Sequence, residues 1–301
     1  MDQLTSADAP EPVEESGRAV GARLSWAGAA GAGMVAVITG ASRGLGAGMA
    51  QRLAQRGLRL GLCARAMPPR PAGTDPAAVV VAELDVTDPE AVDAFAATVV
   101  ERLGPIGLWI NNAGVLGPIG PLVEADPAEV ARHLAVNVLG VVHGTRTYAR
   151  HVRSRPGGGV LVTITSGAAR TPYEGWAPYC ASKAAVDQLS RVVAAEERGS
   201  GLRVLALAPG LVDTDMQALI RSTEERRFPA VERFRAAKAR GAFNSPAWVA
   251  DQLLELAFGT AGAGQGLPDG SALPDGSAVV VRIPDEPRRG GAGTEGSGRH
   301  R

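Results

Sequence analysis

Residues 178–190 read PYCASKAAVDQLS. Tyr179 and Lys183 stand four apart in a run that is otherwise ordinary helix, and that interval puts a phenol and an ammonium on one face. Both residue types are scarce: the chain holds three tyrosines (Tyr148, Tyr173, Tyr179) and two lysines (Lys183, Lys238). A phenol near its reference pKa of about 10 is a poor acid-base catalyst at neutral pH, whereas a neighbouring ammonium favours its ionised form. Ser166 follows the apolar run GVLVTIT (159–165), where its hydroxyl can hold a carbonyl oxygen while Tyr179 gives that oxygen a proton. The competing reading of these residues is a surface tyrosine and lysine whose polar ends are simply satisfied.

A second chemical feature lies upstream. TGASRGLG (39–46) follows an apolar run and opens a helix, and Gly40, Gly44 and Gly46 let the backbone turn tightly and approach a pyrophosphate. The spacing is T-G-x-x-x-G-x-G rather than G-x-G-x-x-G, so by itself the loop reads either as a nucleotide cradle or as a plain turn. The next strand ends LCARAM, with Ala64 where a carboxylate would bind an adenosine ribose and Arg65 beside it. Arg43, inside the loop, offers a second guanidinium. A missing acid and two arginines favour NADPH over NADH, against the alternative that both arginines are surface residues of an arginine-rich chain.

These groups need a scaffold. VAVIT (35–39), LRLGLCA (58–64), AVVVAEL (78–84), LWIN (108–111), GVLVTIT (159–165), LRVLALA (202–208) and AVVVRI (278–283) are seven apolar strand candidates. Helical segments separate them: GAGMAQRLAQRG (46–57), DPEAVDAFAATVVERLG, the long DPAEVARHLAVNVLGVVHGTRTYARHV and the Tyr179 segment. Strands that are apolar throughout and alternate with helices predict a parallel sheet covered on both faces. Beyond Pro209 a long helical stretch is expected from Thr214 to about Gly241, then a helix AWVADQLLELAF. Residues 214–240 form an insertion long enough for a lid.

The termini differ in composition. Residues 1–33, rich in Ala, Gly, Glu and Pro, and the tail 284–301 offer little apolar surface to offset ordering entropy, so flexible extensions are expected around one domain at 34–283. The near-duplicate LPDGSALPDGSA reads as a loop lengthened by local duplication. With 31 basic and 31 acidic residues the formal charge is zero, so nothing general attracts nucleic acid or anionic lipid. No apolar run reaches about 18 residues, and no membrane span is expected. The acidic opening lacks the basic start of a secretory leader. Two cysteines, Cys63 and Cys180, form no disulfide framework, and the four histidines make no metal-ligand spacing. A cytoplasmic location is expected.

Taken together, the motifs resemble the short-chain dehydrogenase/reductase family over residues 34–283. The family's nucleotide motif appears as Thr39, Gly40, Gly44 and Gly46, with Ser42, Arg43 and Leu45 inside it. Its adenine-contacting acid appears as Asp85, followed by Val86, and its N-N-A-G segment as Asn111, Asn112, Ala113 and Gly114. Its catalytic tetrad falls on Asn137, Ser166, Tyr179 and Lys183, with the serine thirteen residues before the tyrosine. Its P-G segment appears as Pro209 and Gly210, leading through Val212 to Thr214.

The resemblance implies a three-layer Rossmann fold with a seven-stranded parallel sheet and bound NADP(H). It implies that Tyr179 is the general acid-base and that Lys183 binds the nicotinamide ribose and lowers the tyrosine pKa. Ser166 would orient the substrate carbonyl, and Asn137 would hold a relay water. The 209–212 peptides and Thr214 would hold the carboxamide. It also implies pairing into a homodimer or homotetramer through the helices at 128–150 and 177–198.

In the last third, PGLVDTDMQALIR (209–221) and AKARGAF (237–243) resemble the sepiapterin reductase and benzil reductase branch, which reduces one carbonyl of a vicinal dicarbonyl. Sepiapterin reductase holds its pterin through a last-strand carboxylate, and AVVVRI has none, so the expected substrate is an apolar or aromatic diketone. Val115, Leu116, Tyr173, Trp176, Met216 and Phe228 are candidate pocket residues, and Trp109 is expected in the core.

Overall fold

The computed structural model describes residues 33–259 and 279–287. Residues 1–32, the LPDGSA duplication and the tail beyond 287 lie outside the described residues.

Seven strands form one parallel sheet: β1 (Val35–Thr39), β2 (Arg59–Ala64), β3 (Val79–Glu83), β4 (Ile106–Asn111), β5 (Gly159–Ile164), β6 (Leu202–Ala208) and β7 (Val279–Arg282), in the order 3-2-1-4-5-6-7. The strand pleat explains why they are apolar throughout. Ala36 and Ile38 of β1 point into a core beneath α1 (Gly44–Gln55) and α8 (Pro246–Phe258), while Val35 and Val37 point into another beneath α2 (Pro89–Leu103) and α4 (Gly140–Arg153). Trp109 is fully buried in the second core, stacked on Tyr148 at 5.9 Å. Fully burying such a side chain contributes roughly 2–3 kcal/mol.

Helix starts follow local chemistry. Asp88 caps α2 by accepting from the N–H groups of Glu90 and Ala91, Asp126 caps α3 (Pro127–Leu134) through Ala128, and Ser245 caps α8 through Trp248, each with proline in the first turn. The segment expected as one long helix at 126–152 is α3 and α4 joined by a π turn over Ala135–Leu139, and this turn contains Asn137. Single π turns of this kind concentrate at functional sites.

The expected helix from Thr214 to Gly241 is instead two helices, α6 (Asp215–Ser222) and α7 (Val231–Ala239). Thr223 is already extended, with ψ 139°, and Pro229 disfavours helical backbone at Phe228. The break inserts Phe228, fully buried, into a third apolar cluster. That cluster contains Leu116, Trp176, Tyr179, Ile220, Phe228, Val231 and Phe234 at the carboxyl ends of the strands, where open α/β sheets bind ligands.

Candidate active site

The crevice forms between β1 and β4, where the strand order reverses. Thr39, at the end of β1, accepts at Oγ1 from the N–H groups of Asn112 (3.0 Å) and Ala113 (3.1 Å). Asn112 in return donates from Nδ2 to the carbonyls of Thr39 (2.9 Å) and Gly40 (3.1 Å). The two motifs are thus laced into one floor. Gly40 has φ +67°, and a Cβ there would lie 2.6 Å from Ala113 Cα; a Cβ on Gly46 would lie 2.6 Å from Asn112 Nδ2.

Helix α1 starts at Gly44 with no side-chain cap and no acidic residue in its first turn, so the N–H groups of residues 44–46 have no intrahelical partner and face the crevice with the positive end of the helix dipole. A dinucleotide pyrophosphate fits this cradle. Ser42 flanks it; Leu45 packs its side chain on the first core and offers only its backbone. Thr214 faces Gly44, its Cγ2 lying 3.3 Å from where a Cβ would stand.

Arg43, the second guanidinium expected at the nucleotide, has an acidic neighbour within the protein. Its guanidinium pairs with Asp215 at the start of α6, at 3.2 Å, with both side chains largely exposed. Ala64 is buried at the end of β2 and Arg65 beside it is exposed. Asp85 lies beyond β3, where Oδ1 accepts from Thr87 N–H at 2.9 Å, and Val86 is buried. The Pro209–Gly210 turn is held by Asn244, whose Nδ2 donates to the Pro209 carbonyl at 2.9 Å, while Val212 bridges to Asn244.

Tyr179 and Lys183 lie on α5 (Ala177–Glu196), both buried, with Lys183 Nζ 5.7 Å from the Tyr179 ring centre. Lys183 donates to the Ile164 carbonyl at 2.9 Å. Gly114 sits between Lys183 and Asn137: a Cβ there would lie 3.4 Å from Asn137 Oδ1 and 3.9 Å from Lys183 Nζ. Asn137 clamps the next residue, accepting at Oδ1 from Val115 N–H and donating from Nδ2 to the Val115 carbonyl, both at 2.8 Å. Ser166, beyond β5, accepts from Ala168 N–H at 3.2 Å.

The electrostatics depart from the expected lowering of the tyrosine. Burial raises the Tyr179 hydroxyl above its ordinary value, and the Ser166 hydroxyl only partly opposes this. Lys183 is itself pushed down to about 8 by burial, against the attraction of Asp187 one turn on. Desolvation wins for both groups because the ammonium is turned to a peptide carbonyl.

Around Tyr179 the pocket candidates Leu116, Tyr173, Trp176 and Met216 come together with Phe228 in the third cluster; Val115 instead packs on the second core. Trp176 stacks on Phe228 at 4.3 Å and 9° and meets Tyr179 edge-on at 5.5 Å. Arg227 donates to the Ile119 carbonyl at 2.7 Å, tying residues 223–230 to the loop after Gly114.

Sequence reading missed His133, Ser182, Arg227 and Asn244 as site-building residues. His133 alone left a signal: it sits four before Asn137, one turn back on a helix.

A family model described as short chain dehydrogenase matches residues 34–225. The chain belongs to the short-chain dehydrogenase/reductase family. This member is 34% identical over 227 residues to benzil reductase ((S)-benzoin forming) of Bacillus subtilis (strain 168), across 73% of this chain and 91% of that protein. It is 40% identical over 206 residues to sepiapterin reductase of Meriones unguiculatus, across 63% and 78%. Among solved structures it resembles the KRED1-Pglu enzyme, with a TM-score of 0.67 and 28% identity over 82% of this chain and 100% of that one. It also resembles 3-ketoacyl-(acyl-carrier-protein) reductase from Brucella melitensis complexed with NADH, with a TM-score of 0.65 and 26% identity over 83% and 97%.

The chain is therefore an NAD(P)-dependent oxidoreductase acting on carbonyl or alcohol groups, with the family's Rossmann-like sheet. No helix among the described residues is long and apolar enough to cross a membrane.

Proposed function

We propose that the protein reduces one carbonyl of an apolar or aromatic vicinal diketone with NADPH. The observation that carries this reading is the wall around Tyr179: Leu116, Trp176, Phe228 and Phe234, buried and apolar, with Tyr173 and Met216 at its edge. A planar aromatic diketone matches such a wall, because aromatic faces and edges pack favourably at these spacings. The Bacillus subtilis relative is named for benzil reduction. A pterin is a poorer match. β7 holds no carboxylate, and of the two acids that follow it among the described residues Asp285 pairs with Arg282 and Glu286 accepts from Ser245 N–H at 2.6 Å.

Ala64 and Arg65 support NADPH, since the β2 end offers no carboxylate to a ribose and a guanidinium to a 2′-phosphate. The residues that would hold the dinucleotide are the 44–46 N–H groups for the pyrophosphate, Asp85 and Val86 for the adenine, Asn112–Gly114 along the floor, and Pro209–Thr214 for the carboxamide. When bound, it supplies the hydride that reduces the carbonyl carbon.

The protein's own residues handle orientation and the proton. Ser166, beyond β5, orients the carbonyl oxygen that Tyr179 protonates. Tyr179, whose pKa burial raises, is protonated at neutral pH and gives that proton to the oxygen as charge develops on it. Lys183, still largely an ammonium at neutral pH, adds positive charge behind the phenol and stabilises the tyrosinate left behind. The apolar wall excludes water, which strengthens each of these interactions.

The same residues serve alcohol oxidation, so direction is tested together with substrate. NADPH and NADH consumption should be compared on benzil, a phenyl-1,2-dione, an aliphatic diketone, sepiapterin and a simple ketone, with a secondary alcohol plus NADP+ in reverse. Fast NADPH-dependent loss of the aromatic diones supports the reading; turnover confined to sepiapterin or to the alcohol contradicts it.

Exposed Leu134, Leu139 and Val192 on the α3, π-turn and α5 surfaces support self-association into a homodimer or homotetramer. A monomer by light scattering would sink that part.

A further inference from the structure

His133 closes the last turn of α3 with 1% exposure, and none of the roles above uses it. Its Nδ1 lies 2.7 Å from the Gly117 carbonyl, and a carbonyl only accepts, so Nδ1 carries the hydrogen. Its Nε2 lies 3.0 Å from Asn137 Nδ2. One Nδ2 hydrogen of Asn137 goes to the Val115 carbonyl, and the other points to His133 Nε2 and to Ser182 Oγ at 3.2 Å. Ser182 spends its own hydrogen on the Tyr179 carbonyl at 2.8 Å. With the imidazole neutral and Nε2 bare, Asn137 has a ring acceptor to itself; a protonated ring would instead have to share Ser182 Oγ, 3.1 Å from Nε2, with Asn137.

Three pieces of the site therefore meet at one ring. The 115–117 loop hangs from Nδ1, Asn137 leans on Nε2, and the ring edge faces the Tyr179 ring at 6.2 Å and 78°. We infer that His133 is a positioning residue, a neutral donor-acceptor bridge that holds Asn137 and the 115–117 loop in register with Tyr179 and Lys183. The inference rests on the family's oxidoreductase chemistry and not on which carbonyl is reduced.

The surroundings favour that state. Burial pushes the His133 pKa down, and Lys183, from α5, is the charge that acts on it in the same direction. The loop presents the Gly117 carbonyl, and α5 adds the Pro178 carbonyl, Ser182 and Tyr179, all uncharged. Protonation would put a hydrogen on Nε2 against the Asn137 N–H at 3.0 Å, turn the ring toward Ser182 Oγ and remove the acceptor on which Asn137 leans.

A structural filler and a bridge are separated by two substitutions. His133→Gln keeps one donor and one acceptor at about the imidazole spacing and cannot be charged near neutral pH; His133→Leu keeps bulk and loses both. Turnover is measured with whichever carbonyl of the panel above the unaltered protein reduces, so a silent unaltered protein reports on the substrate reading and not on this one. His133→Gln should keep kcat within about fivefold and lose the acid limb of the kcat profile, while His133→Leu should lose at least about tenfold in kcat with NADPH affinity within about twofold. Full kcat in His133→Leu, or equal kcat losses in both variants, overturns the inference. Should His133→Leu fail to fold, the acid limb decides alone: an identical limb in His133→Gln and the unaltered protein overturns it.

Discussion

Lys183 donates from Nζ to the carbonyl of Ile164 at 2.9 Å, the last residue of the strand that leads to Ser166. That bond anchors α5 to the end of β5 and sets Tyr179 beside Ser166. It also leaves the ammonium buried with one neutral acceptor, which is why its pKa falls to about 8.

This burial has a measurable sign. Between a folded pKa of about 8 and an unfolded value near 10.5 the unfolded chain binds more protons at Lys183, so stability rises with pH across that window. The gain of the unaltered protein relative to Lys183→Met should reach up to about 3 kcal/mol as pH goes from 8 to 10.5. Urea unfolding of both proteins at several pH values checks it, and a pH-independent difference contradicts the buried-ammonium account.

Cofactor choice should turn on the end of β2. Ala64→Asp places a carboxylate where a ribose 2′-hydroxyl would sit and a 2′-phosphate would be repelled. The ratio of kcat/KM for NADPH over NADH should fall by at least about tenfold, roughly 1.4 kcal/mol. An unchanged ratio would mean that other groups read the 2′-position.

The Arg43–Asp215 pair links the glycine loop to α6 and is exposed on both sides. Exposed pairs are worth about 0–1 kcal/mol, so Asp215→Ala should release Arg43 at little cost to stability. NADPH should bind up to about fivefold tighter in this variant while NADH binding is unchanged. Equal effects on both cofactors would show that Arg43 does not distinguish them.

Phe228 stacks on Trp176, which the diketone reading places in the substrate wall. Phe228→Ala leaves a cavity behind the indole and should destabilise the fold by about 3–5 kcal/mol. The remaining folded enzyme should show KM for benzil raised at least about tenfold, and a smaller rise for an aliphatic diketone. A uniform change in both KM values would place the aromatic cluster outside the substrate's reach.

The parts of the site legible in the sequence are those set by local spacing. Gly40, Gly44 and Gly46 mark a turn whose backbone has to come close to Ala113 and Asn112, and Tyr179 and Lys183 share a face because a helix repeats in under four residues. The parallel sheet was legible because short runs such as residues 35–38 are apolar at every position and alternate with helical segments, as strands covered on both faces do.

What was not legible depends on distant partners. Nothing near Arg43 announces Asp215, which is 172 residues away. Thr214 to Gly241 has helical composition apart from Pro229, which disfavours helix at Phe228, and the burial of Phe228 among Trp176 and Phe234 adds a distant reason for the break. For Tyr179, spacing reveals the ammonium but not the desolvation that pushes its hydroxyl up. Spacing relates His133 to Asn137 but not to the Gly117 carbonyl, which the loop after β4 brings to it.

The most direct test of the account is NADPH oxidation with benzil by the unaltered protein and by Tyr179→Phe, with NADPH binding measured on both. Ready turnover by the first, a loss of about 10²–10⁴-fold in the second and equal NADPH affinity are the predicted result. Retained benzil reduction in Tyr179→Phe would contradict the assignment of Tyr179 as proton donor, and an unaltered protein that binds NADPH but leaves benzil untouched would contradict the diketone reading.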